Sequence, residues 1–139
     1  AAVLSGLIGY EREEGDKPAG VRTNMLVGGS VTLLVTLGKV MVQDFNESGL
    51  GVFISADPTR IIHAVIVGIS FIGAGMVLQI EEKTKIKFLT TAATILFSTG
   101  IGIAVALHQY ILSVGATLFV LFVNFILGWI GKYLGRKKE

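Results

Sequence analysis

Asp57-Pro58-Thr59-Arg60 opens an apolar run that passes through Gly68-Ile69-Ser70-Phe71-Ile72-Gly73-Ala74-Gly75. A charged turn, Glu81 to Lys87, follows, and then Leu89-Thr90-Thr91-Ala92-Ala93-Thr94. Apolar stretches of about 20 residues are long enough to cross a bilayer, so this part of the chain reads as a membrane hairpin. Between Ile61 and Ile80 there is no formal charge, and only His63, Ser70 and Gln79 are more polar than glycine. On a helix, Ala64, Gly68 and Gly75 share one side, while Ser70, Gly73 and Ala74 lie roughly on the other. Small residues let membrane helices approach closely, because lipid supplies no hydrophobic drive between them. Two such faces predict protein on both sides of this helix and a central place for it in the bundle.

The next helix carries Thr91, Thr94, Ser98 and Gly102 at spacings of three, four and four, which form one stripe. Membrane hydroxyls commonly bond their own preceding carbonyls or a neighbouring helix. A hydroxyl lining of an ion path is the alternative. Intramembrane functional sites usually include an ionisable group, and the stripe itself has none. Ahead of the hairpin, Asp57 has the look of a helix N-cap with Pro58 at the first helical position, and Arg60 is placed to fold back toward it. His63, one turn in, reads as a neutral interfacial histidine, and no carboxylate in its segment supports a proton relay.

The 139 residues make one domain at most. An apolar fraction of 52 %, only 16 % charge and a positive mean hydropathy put the chain in the membrane class. There are no cysteines, which excludes disulfides and thiolate metal sites. A net charge of +2, with the basic residues at segment ends, does not argue for nucleic acid. No Walker loop, His-Glu-x-x-His or serine elbow is present, and no nucleophile, base and orienter occur at readable spacing. A non-enzymatic protein with no cofactor is expected.

The expected fold is an all-α, polytopic transmembrane bundle of five segments: about 1–10, 21–42, 61–80, 86–107 and 110–131. Ten residues fall short of a span, so 1–10 is expected to be the last half of a helix truncated upstream. Glu11 to Pro18 reads as a charged loop with turn residues. Lys39, near the end of the second segment, is expected to snorkel to the interface, and 43–56 to be the longest loop. His108-Gln109 leaves room only for a tight connection, which makes the fourth and fifth helices an antiparallel hairpin. Asn124 reads as interhelical glue rather than a ligand. Trp129 and Tyr133 form an interfacial aromatic pair, and Gly131 and Gly135 a small-x-x-x-small pair. Arg12, Lys17 and Arg22 fall in the first loop, Lys83, Lys85 and Lys87 in the third, and Lys132, Arg136, Lys137 and Lys138 at the C-terminus. Basic residues stay cytoplasmic. This predicts an N-terminus outside and a cytoplasmic C-terminus.

Several of these stretches, taken in order, resemble the membrane domain of the MgtC/SapB family. They are Gly9-Tyr10-Glu11-Arg12, Ala19-Gly20-Val21-Arg22-Thr23-Asn24, Asp57-Pro58-x-Arg60, Gly68-x-x-Phe71-Ile72-Gly73-Ala74-Gly75, Leu89-x-Thr91-Ala92-Ala93-Thr94 and Gly100-Ile101-Gly102. Each is weak alone, whereas the ordered set is specific and covers nearly the whole chain. The family has about five membrane helices and a cytoplasmic C-terminus, in line with the charge reading. There are departures: Ser70 stands for a usual glycine, Phe88 and Thr90 for a common glycine and asparagine, and Leu96-Phe97 for a Trp-Cys pair of some members. Many members carry a soluble C-terminal domain, whereas 1–139 is expected to be a single membrane domain without one.

The resemblance implies a multi-pass protein of the bacterial inner (plasma) membrane, linked to adaptation to low magnesium and, in pathogens, to survival inside host cells. It favours a regulator acting on other membrane proteins, the F-type ATP synthase among them for some members. The alternative is a magnesium or proton transporter or channel, in which Glu11 and Asp57 would mark two mouths with Thr91, Thr94 and Ser98 between. Magnesium prefers carboxylate oxygens, yet the predicted topology puts these two acids on opposite faces. On the regulator reading, Glu11, Arg12 and Arg22 form a cytoplasmic-edge cluster fixing the first helix against the second. Thr23, Asn24, Arg60, Gly68, Gly73 and Gly75 complete the candidate residues. The glycine faces make a homodimer plausible.

Overall fold

A computed structural model describes residues 1–48, 57–78 and 88–135. Five helices follow one another: α1 (Ala2–Glu14), α2 (Val21–Glu47), α3 (Pro58–Leu78), α4 (Leu89–Ala106) and α5 (Tyr110–Gly135), and the described residues contain no strand. Val21–Glu47, Thr59–Val77 and Leu89–Ala106 are long and apolar enough to cross a membrane, and Tyr110–Ile126 is a shorter apolar stretch. The all-helical class and the order of segments stand as the sequence predicts. The loop 49–56, the turn with Gln79 and Lys83, Lys85 and Lys87, and the tail 136–139 lie outside the described residues, and Gly131, Gly135, Trp129 and Tyr133 are described in backbone only.

Three helices, α1, α2 and α5, run at least four residues past their expected ends, for one reason: a helix does not stop where its apolar run stops. The charged stretch Glu11–Glu14 is not loop but the end of α1. Its residues hold helix well, and the stop comes from a left-handed residue. Asp16 has φ 50°, its amide donates to the Glu13 carbonyl at 3.2 Å, and the Lys17 amide donates to the Arg12 carbonyl at 2.9 Å. That is the Schellman pattern of a helix C-terminus. In the same way α2 runs past Val42 to Glu47, because 43–47 contains no glycine or proline. The tight α4–α5 connection is a second Schellman stop, with His108 at φ 61° and the Gln109 amide donating to the Ala104 carbonyl at 2.8 Å. At the head of α3, Asp57 caps as expected: its Oδ1 accepts from the Thr59 amide at 2.9 Å and the Thr59 hydroxyl at 2.7 Å.

The centre of the bundle is α4, not α3. Helix α4 packs on α1, α2, α3 and α5, whereas α3 touches only α2 and α4 among the described elements. The small faces of α3 explain the correction. Gly73 lies against Ala92 of α4, where an added β-carbon would sit 3.5 Å from the Ala92 Cβ, while Gly68 and Gly75 have nothing within 4 Å. One face is used and the other is open. Two apolar clusters flank α4: Ile8, Ile101 and Val120 join α1, α4 and α5, and Val31, Val35 and Ala106 join α2 and α4, with Ile62, Val65 and Ile69 of α3 against them.

Candidate functional site

Three of the quoted motifs converge on one face of α4. Close approach comes first. A β-carbon at Gly9 would lie 2.6 Å from the Gly20 carbonyl oxygen and 2.7 Å from the Val21 Cα, and one at Gly102 would lie 2.7 Å from the Gly28 carbonyl oxygen. The Gly28 Cα in turn faces the Ser5 hydroxyl. The contacts at Gly9 and Gly102 are with backbone, which cannot step aside, so only glycine there lets α1 and α4 come this near to α2.

Side chains of the stripe then fill the seam. The Arg12 guanidinium donates through Nη2 to the Thr91 hydroxyl. The Ser98 hydroxyl donates to Asn24 Oδ1 at 2.7 Å, while Asn24 Nδ2 donates to the Ala19 and Gly20 carbonyls at 2.6 and 3.1 Å. Asn24 thus ties the left-handed turn at Ala19 (φ 59°) to α4. Thr94 donates to its own-helix carbonyl at Thr90, 2.7 Å away. Farther along, the Thr32 hydroxyl is within 2.9 Å of both the Gly28 and Gly102 carbonyls, and Lys39 Nζ donates to the Ala106 carbonyl at 3.3 Å. Lys39 therefore serves the C-terminal carbonyls of α4, where a cation is favoured by the helix dipole.

Arg12 is the unusual member. It is 2 % exposed, its Nε is buried without a partner, and among the described residues it makes no ion pair. Arginine stays protonated in proteins, so a full charge is held in the bundle by a neutral hydroxyl. Serine 5 also buries an unpartnered hydroxyl. The stripe has no charge of its own, but the fold brings it one from α1.

The expected cluster of Glu11, Arg12 and Arg22 does not form. Consecutive residues on a helix diverge by about 100°, and Glu11 turns to α5 while Arg12 turns to α4. Glu11 accepts from Lys17 Nζ at 2.8 Å and from Asn124 Nδ2 at 2.7 Å. Asn124 is thus interhelical glue, as its placement suggests. Arg22 and Thr23 are exposed and line a 680 Å³ cavity with Glu13, Lys17 and Phe88. Glu13, which the sequence reading passed over, accepts from the Val21 amide at 3.0 Å and so caps α2. Its position eight residues upstream gave no local capping signal, and the same holds for the contacts of Thr32 and Lys39 with α4.

Asp57, Arg60, Gly68 and Gly75 lie apart from the seam, on α3. Hydrogen bonds from the Thr59 hydroxyl and amide, with the Arg60 charge nearby, hold the Asp57 carboxyl below its usual range. Arg60 does fold back, with Nε 4.0 Å from Asp57 Oδ2. Beside it, a groove of 960 Å³ separates α2 from α3. No group of three or more His, Cys, Asp or Glu side chains that could hold a metal ion occurs among the described residues.

Comparison with known proteins agrees with the motifs. The chain matches the MgtC family over residues 1–133. It is 32 % identical over 127 residues to protein MgtC of Salmonella typhimurium strain LT2, covering 91 % of this chain and 49 % of that protein. YhiD of Escherichia coli K12, whose name proposes magnesium transport, is 34 % identical over 123 residues, covering 88 % of this chain and 55 % of its own. An uncharacterized protein of Haemophilus influenzae strain Rd is 33 % identical over 139 residues, which is all of this chain and 57 % of that one. The chain spans about half the length of the curated relatives it matches. No solved structure matches it. With a match over nearly its whole length, the chain belongs to the MgtC family.

Proposed function

We propose that this protein is a non-enzymatic regulator of the bacterial plasma membrane, which serves adaptation to low magnesium through contacts with other membrane proteins. One observation carries the reading: the polar stripe of α4 is spent on helix contacts. Thr91 accepts from Arg12, Ser98 donates to Asn24 and Thr94 donates to Thr90. All three hydroxyls are buried as well, so the stripe is packed between helices rather than open to water, as an ion path would need. The seam also has a cation at each end, Arg12 and Lys39. Fixed positive charge in a low-dielectric passage raises the barrier to magnesium and to protons. Exposed apolar faces on α2, α3 and α5 remain for lipid and for partners, among which the F-type ATP synthase is a family-based proposal.

The orientation follows from charge. The Glu11–Asn124 and Glu13–Val21 bonds set the end of α1, the start of α2 and the far part of α5 together, while Lys39–Ala106 sets the later part of α2 beside the end of α4. Basic residues concentrate at the first of these two ends, which supports a cytoplasmic position for that end and the C-terminus.

The name of YhiD supports the second reading, magnesium transport. Proteoliposomes containing the purified protein separate the two. No magnesium or proton flux above that of empty liposomes is expected. Flux that disappears when Thr94 and Ser98 are replaced by alanine and valine would establish the transporter instead.

A further inference from the structure

We infer that the groove between α2 and α3 holds an acyl chain of a phospholipid whose headgroup, carrying a phosphate and a primary ammonium, sits on Arg60 and Asp57. The groove has a volume of 960 Å³, and Asp57 and Arg60 are the only charged residues among those described that line it. Both stand at the head of α3, and the lining runs from them to Ile72. That is about 22 Å of helix at 1.5 Å per residue. The hydrocarbon layer of a bilayer is about 30 Å thick, so the acyl chains of one leaflet, about half as long, fit within the groove. Apolar cavities do not hold ordered water, and inside a membrane the fluid available to fill one is lipid.

Shape and charge select the occupant. Charge at one end and hydrocarbon along the rest match an amphiphile with a single polar end, whereas a transmembrane helix of a partner is polar at both. Such a helix, about 10 Å across, is also too wide for a cleft whose walls meet at its floor. There Ile61 of α3 packs over Gly38 of α2, and Ile62, Val65 and Ile69 lie against the cluster of Val31, Val35 and Ala106. The two charges at the mouth keep capacity for a headgroup. Asp57 gives Oδ1 to the Thr59 amide and hydroxyl, while its Oδ2 has only Arg60 Nε at 4.0 Å, beyond hydrogen-bond reach. The Arg60 side chain is 86 % exposed. A guanidinium binds phosphate through two parallel hydrogen bonds, and Oδ2 is open to an ammonium beside it. Carboxylate and guanidinium side by side thus face a headgroup of the opposite arrangement. A wholly anionic headgroup meets the charge of Asp57 instead, and a choline headgroup has no N–H to donate. The inference goes beyond the regulator reading and does not depend on it.

Native mass spectrometry of the full protein, released from vesicles with equal parts of phosphatidylethanolamine, phosphatidylglycerol and phosphatidylcholine of the same acyl chains, tests this. A single retained lipid is expected, with the ethanolamine form favoured several-fold over the other two. Asp57→Asn keeps a good helix cap and is expected to abolish the preference for ethanolamine over glycerol, while Arg60→Gln lowers retention of every phospholipid several-fold. Gly68→Leu grows into the groove from a position with open space and is expected to lose the lipid. Gly75→Leu, equally open but not among the residues lining the groove, is expected to keep it. Retention without headgroup preference would overturn the proposal, as would a preference unchanged in Asp57→Asn or equal loss in the two leucine variants. A second polypeptide bound in place of the lipid, whether another copy or a partner, would overturn it as well.

Discussion

Arg12 carries the sharpest energetic consequence. A buried charge whose partner is removed is costly, yet replacing the charge itself by an apolar side chain of similar volume is often neutral or stabilising. Hydrogen bonds to charged groups contribute roughly 1.5–3 kcal/mol, so Thr91→Val, which strands the guanidinium, is expected to lose about that much. Arg12→Met is expected to cost nothing or to stabilise, and in that background Thr91→Val should lose its effect, as coupled neighbours do. Unfolding in detergent micelles, followed for the two single variants and the double variant, measures both. A costly Arg12→Met would show that the charge itself holds the helices together. Phe88 is a different kind of residue-scale cost: it holds φ 71° just before α4, a region that suits glycine, and glycine is common there in the family this chain resembles.

Glycine in α4 shows how one element can demand opposite things two residues apart. Gly100 and Gly102 belong to the same short motif, but only Gly102 falls on the stripe of Thr91, Thr94 and Ser98. Gly100 has open space around its missing β-carbon, whereas at Gly102 that atom would meet the Gly28 carbonyl oxygen at 2.7 Å and Val31 Cβ at 2.9 Å. Gly100→Ala is therefore expected to stabilise by about 0.5–1 kcal/mol, the usual gain from removing a mid-helix glycine. Gly102→Ala is expected to push α2 from α4 and cost roughly 1–3 kcal/mol, as overpacking does. Parallel melts of the two variants test this, and equal responses would mean that α2 and α4 are not in close contact. Helix existence was legible from apolar runs, but helix ends were not, because Glu11–Glu14 and Gln43–Glu47 extend helices beyond their apolar parts.

At the scale of the molecule, the helical class and the tight α4–α5 turn were readable from composition and spacing, and the family from its ordered motifs. The central helix was misread. Small faces on α3 signalled contacts, but nothing local says whether a partner lies in the same chain, and only one of its faces has one. The candidate stripe was found from its spacing, while the arrival of Arg12 from 79 positions away was not, because pairing between distant segments leaves no periodic trace. What the assembled bundle makes of that stripe decides its function. A dry seam of helix contacts suits a regulator, and a wetted one suits a conductor. The direct test is Ser98→Cys, in a chain with no other cysteine and at a position with 0 % exposure. Membranes are exposed to a charged thiol reagent from each side in turn, with Thr23→Cys at the exposed start of α2 as the reactive control. The expected result is labelling at Thr23→Cys and none at Ser98→Cys from either side. Rapid labelling at Ser98→Cys would show that water reaches the centre of the seam, and would contradict its reading as a closed helix contact.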